Sequence, residues 1–168
     1  MTKTIYADRI QPNVDTPLKT TSDILWSIHH NDYCVVKPTE CKVLKISHNM
    51  SLTSFGYCLC RGIVLKNDAY IGLAHLLPIE SKRADELDDM ITIMQSDSKN
   101  MNAILVAGQY PELLEEMVQR KNIPIKDHYY DDVNNQDDNF WRYQKDIIVM
   151  PTGEVQIHTR KKIITKQF

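Results

Sequence analysis

The sequence predicts an α/β domain on three observations. Short β-rich segments fill the first half, two amphipathic helical stretches follow, and strand-like sequence around a tight turn closes the chain. Its 168 residues have the length of one ordinary domain, and 42% hydrophobic with 25% charged residues is a globular balance, not a disordered one.

Residues 1–22 contain Pro12 and Pro17 in a Thr/Ser/Asp-rich stretch without apolar period, and read as an extended N-terminal arm. Strand-like segments follow at 24–29, 33–37 and 42–47, with a turn at Lys37-Pro38-Thr39. Residues 58–66 alternate as a strand with Gly56 just ahead of it, and Asn67-Asp68 turns into a second apolar strand over 69–77. That hairpin is expected to bring Cys58 close to His75. Ser81 is placed to cap a helix whose Ala84, Leu87, Met90, Ile91 and Met94 share one face, leaving an acidic solvated side. A buried strand over 102–107 ends at Gly108, and Pro111 opens a second helix with Leu113, Leu114, Met117 and Val118 inward. β character returns at 123–125, a polar loop spans 131–139, and strands over 141–150 and 154–159 flank Pro151-Thr152-Gly153. The organisation is an arm over 1–22, a domain over 23–160 and a basic tail over 161–168.

A net charge of −2 supplies no positive field for phosphate backbones or anionic lipid, so neither nucleic acid nor a membrane surface is an expected partner. The apolar runs are a few residues long, against about 20 for a spanning helix. Residues 1–10 show no apolar core of a Sec-type leader. Cys34, Cys41, Cys58 and Cys60 read as free thiols, and their C-x6-C and C-x-C spacings are not those of a zinc site, so no metal or cofactor is expected.

Cys58 directly follows a glycine turn at the mouth of a strand, where a nucleophile is exposed to substrate. A thiol nucleophile needs a base to take its proton, and His75 lies seventeen residues on, within an apolar strand. On spacing alone such a pair is more often a small buried residue and a hydrogen-bonded core histidine than a catalytic pair.

Gly56-Tyr57-Cys58 followed by Ala74-His75-Leu76-Leu77-Pro78 resembles the Gly-Ser-Cys and Ala-His-x-x-Leu-Pro signatures of the CheD family of chemoreceptor glutamine deamidases. Further landmarks in family order are Lys82-Arg83-Ala84-Asp85, Ala107-Gly108, Asn122-Ile123-Pro124-Ile125 and Pro151-Thr152-Gly153-Glu154-Val155. The resemblance implies mixed β-sheets packed as a sandwich and flanked by the two helices. It also implies a catalytic Cys58 with His75 as base, and deamidation of protein glutamine through a thioester, with backbone donors near Gly56 and Tyr57 as oxyanion and substrate contacts. Tyr57 stands where the family has serine. The family's histidine-orienting threonine falls at Leu52, which leaves Thr53 favoured over Ser51 for that role.

The same fold and site occur in cytotoxic necrotizing factors, so the implied protein substrate is either a chemoreceptor or a host protein, and the chain either cytoplasmic or delivered into a host cell without a Sec signal. Two other readings stand beside this one: a binding module that kept the fold and lost catalysis, and an unrelated thiol hydrolase of small amides.

Overall fold

A computed structural model describes residues 5–6, 33–77, 84–131 and 143–168. Most of the expected arm, the segment 24–29, Ser81 and nearly all of the loop 131–139 lie outside the described residues.

The described strands form two sheets. Six are β1 (Ile5–Tyr6), β3 (Cys41–Lys45), β5 (Arg61–Lys66), β6 (Tyr70–Leu76), β7 (Asn102–Ala107) and β8 (Ile125–Tyr130), in the order β1-β3-β6-β5-β7-β8. The other five are β2 (Tyr33–Val35), β4 (Ser51–Tyr57), β9 (Lys145–Val149), β10 (Glu154–Thr159) and β11 (Ile163–Gln167), in the order β11-β10-β9-β4-β2. Both sheets are mixed: β1 runs parallel to β3, β7 to β8 and β2 to β4, while the remaining pairs are antiparallel.

Because side chains alternate across a strand, the central strands feed two cores at once. Val43, Ile63, Leu65 and Ala74 face Leu87, Met90, Ile91 and Met94 of α1 (Ala84–Gln95) and Leu114 and Val118 of α2 (Pro111–Gln119). Their sequence neighbours Leu44, Val64 and Leu73 face Leu52, Ile147, Val149 and Ile157 of the other sheet. The result is an α/β arrangement of two mixed sheets with both helices on the outer face of the six-stranded one. Strand β6 is consequently buried along its whole length, as expected of a strand covered on both faces. Among the described residues no helix is long and apolar enough to cross a membrane.

The expected helix faces match at Leu87, Met90, Ile91 and Met94 of α1 and at Leu114 and Val118 of α2, whereas Leu113 is 46% exposed. The hairpin of β5 and β6 forms, with Asn67 Oδ1 accepting the Ala69 and Tyr70 N–H groups. Its first strand begins at Arg61, however, three residues later than the alternation suggested. Cys58 therefore lies outside the hairpin, and Gly62 stands opposite His75. In the expected basic tail, residues Ile163–Gln167 pair with β10 as an edge strand.

Candidate active site

Strand β4 is regular until Ser54, which pairs with Ile147, and is next in register at Tyr57, which pairs with Lys145. Phe55 and Gly56 thus share Asp146 as their single opposite residue, which makes a β-bulge. Gly56 supplies the positive φ of +78° that this bulge uses. Its N–H donates to Asp146 Oδ1 at 2.9 Å, so that donor is engaged by the carboxylate and is not presented to substrate as the oxyanion expectation required. Burial pushes the Asp146 carboxyl up, and the Gly56 N–H pulls it back.

The bulge also decides where Tyr57 goes. Without the extra residue, Ser54 and Tyr57 would face opposite sides of the sheet; with it, both face the inter-sheet core. Tyr57 is fully buried, its ring over Gly62 and stacked on the His75 imidazole with centroids 3.8 Å apart and planes 15° apart.

Cys58 follows in the short crossover between β4 of one sheet and β5 of the other. Gly108 fixes its path: a Cβ there would lie 2.2 Å from the Cys58 carbonyl oxygen, and the Gly108 N–H donates to the Cys60 carbonyl at 3.1 Å. Cys58 itself is 7% exposed. Burial pushes its thiol up, Lys145 and Arg160 pull it down, and Asp146 and Asp131 oppose them. Cys34 and Cys41 are buried in the two cores, and all four cysteines are free thiols.

His75 on β6 is completely buried, and its Nδ1 lies 2.9 Å from Ser54 Oγ. Ser54 Oγ also sits within hydrogen-bonding distance of the Val36 carbonyl. A carbonyl only accepts, so the Ser54 hydroxyl proton points to Val36 and its oxygen accepts from Nδ1–H. The proton is thereby placed on Nδ1, and the lone pair on Nε2, which has no hydrogen-bond partner among the described residues. Burial pushes this imidazole down to about 4 from an ordinary 6.5, so it is neutral at pH 7.

The hydroxyl on the imidazole is therefore that of Ser54, not Thr53. Thr53 and Ser51 have the opposite parity on β4, ahead of the bulge, and so point to the other face of the sheet; Thr53 pairs with Ile148. Ser54 shares the parity of Leu52, the position at which the family's threonine falls, and that parity was the available signal. The structure unites Ser54, Tyr57 and His75, and it ties Gly56 to Asp146. No hydrogen bond joins Cys58 to a His75 ring nitrogen: Nδ1 is held by Ser54, and Nε2 has no partner among the described residues. Among the described residues no group of three or more His, Cys, Asp or Glu side chains is disposed to hold a metal ion.

The depressed His75 value has a signed consequence for stability. An unfolded chain binds a proton at this residue as pH falls through 6.5, whereas the folded chain resists until about 4. Stability is thus fully present above pH 6.5 and lost on the way down to pH 4, by about 3 kcal/mol for this group. Urea midpoints measured from pH 7 to 4.5 are expected to fall less steeply for His75→Asn than for the wild type. Parallel slopes would show that the imidazole is not held neutral by burial.

No family model matches the chain, and no curated protein matches it. Among solved structures it is similar to the C-terminal domain of CNFy from Yersinia pseudotuberculosis, at a TM-score of 0.41 and 12% identity, over 82% of this chain. The match spans 62% of that chain's length.

Proposed function

We propose that the chain is a cysteine amidohydrolase that deamidates glutamine side chains of a protein, with Cys58 as nucleophile and His75 as base. The observation that carries this reading is the Val36–Ser54–His75 chain of hydrogen bonds, which leaves a neutral imidazole with its Nε2 lone pair uncommitted. That is the protonation state a general base requires. The sequence resemblance to CheD supports the substrate class, and a chemoreceptor or a host protein is the target it fits.

In this reaction Nε2 takes the Cys58 thiol proton, and the thiolate attacks the glutamine carboxamide carbon. The imidazolium returns the proton to the departing nitrogen, so ammonia leaves and a thioester remains. Water, deprotonated by the same Nε2, then cleaves the thioester to glutamate and free thiol. Proton transfer needs the Cys58 side chain to bring Sγ to Nε2 when substrate is bound. Free glutamine lacks the flanking contacts that drive such a change and is not expected to react.

One observation favours a second reading, a binding module without catalysis: Tyr57 covers the imidazole face and His75 has no exposed surface. The two readings separate when wild type and Cys58→Ser are incubated with chemoreceptor cytoplasmic domains and with a host-cell lysate, and peptides are mapped for gains of about 1 Da per deamidated glutamine. Shifts present only with wild type support the hydrolase. Identical maps in both mixtures leave the binding module.

A further inference from the structure

Lys145 ends the inward-facing row of β9, where Ile147 and Val149 are apolar. It is 1% exposed, and its Nζ donates to the Tyr57 carbonyl at 3.3 Å, the Tyr143 carbonyl at 3.0 Å and the Asp131 carboxylate. A lysine has three donors, so all three are used. Asp131 is itself fixed: its N–H donates to the Ala107 carbonyl at 3.0 Å, and its other carboxylate oxygen accepts from Tyr129 at 3.1 Å. A buried ion pair is a poor device for stability alone, since apolar residues of similar volume often do as well or better. Here the charge is aimed at the peptide immediately before Cys58.

We propose that the Lys145–Asp131 pair is a positioning device for Cys58, in which Lys145 holds the Tyr57 peptide and places positive charge beside the thiol while Asp131 limits that charge. The proposal rests on the reading of Cys58 as nucleophile. Asp146 completes the grip from the other face of β9 through the Gly56 N–H, so consecutive residues of one strand hold the bulge on both sides. The charged groups facing the thiol are Lys145 and Asp146 of β9, Arg160 after β10 and Asp131 after β8, and Lys145 is the strongest of them.

The test is the pH dependence of Cys58 alkylation by iodoacetamide in a Cys60→Ser chain, which removes the more exposed neighbouring thiol. Lys145→Met is expected to raise the midpoint by about 1 pH unit, and Asp131→Asn to lower it. A purely structural pair would destabilise the fold in both variants without moving the midpoints in opposite directions. Midpoints that stay put, or move the same way, overturn the proposal. Where Lys145→Met does not fold, Asp131→Asn decides alone: a fall supports the device, and no change or a rise refutes it. Deamidation of protein glutamine by the wild type is scored separately, so opposite shifts without deamidation sink the hydrolase reading and leave the device standing.

Discussion

His75→Ala is expected to abolish ammonia release from a glutamine-bearing protein substrate, a loss on the order of 10² to 10⁴-fold for removal of a general base. Ser54→Ala is expected to slow the reaction less, by about tenfold, because it removes the acceptor that keeps the proton on Nδ1 and lets the tautomer with a protonated Nε2 compete. Thr53→Ala is expected to change the rate little, since that side chain lies on the other face of β4. Steady-state ammonia release, with circular dichroism to confirm folding, ranks the three variants. Were Thr53→Ala the more damaging of the two hydroxyl deletions, the hydrogen-bond chain through Ser54 would not be what orients the base.

Tyr57→Ala is expected to destabilise the fold by about 3–5 kcal/mol, the usual range for deleting a fully buried aromatic ring. The ring fills the space between His75, Gly62 and Ile147, and nothing in that close-packed region is placed to replace it. Tyr57→Phe is expected to lose less, about 1–2 kcal/mol, because the phenol reaches the Ala74 carbonyl at a long 3.5 Å and otherwise gives up its hydrogen bond with Ser54. Urea denaturation at pH 7 measures both. Equal losses for the two variants would place the value of Tyr57 in its hydroxyl instead of its ring.

How far the sequence could be read depended on whether local periodicity survived into the fold. It did for α1, whose Leu87, Met90, Ile91 and Met94 recur at helical spacing and face the sheet, and for the β5–β6 hairpin, whose Asn67 turn is a local hydrogen-bonding device. It did not at the bulge, because one inserted residue reverses the facing of everything after it. Alternation from residue 58 onward suggested a strand through Cys58, whereas Tyr57 had already turned inward and the chain was crossing between sheets. The family resemblance implied two packed sheets, but which strand joins which sheet was not legible, since β4 and β5 are adjacent in sequence and yet belong to different layers. Lys145 and Asp146 carried no signal of their own: a charged pair at the start of a strand ordinarily marks its solvated end.

The proposed nucleophile leaves the five-stranded sheet, and the proposed base belongs to the six-stranded one. Neither sheet alone contains the reactive pair, and the hydroxyl that sets the tautomer reaches the imidazole across the interface between them. Competence for reaction is therefore a property of the docked sandwich and appears only when its two halves close. A chain with every strand formed but its layers still apart would hold an ordinary thiol and an ordinary imidazole, harmless to the amides around it.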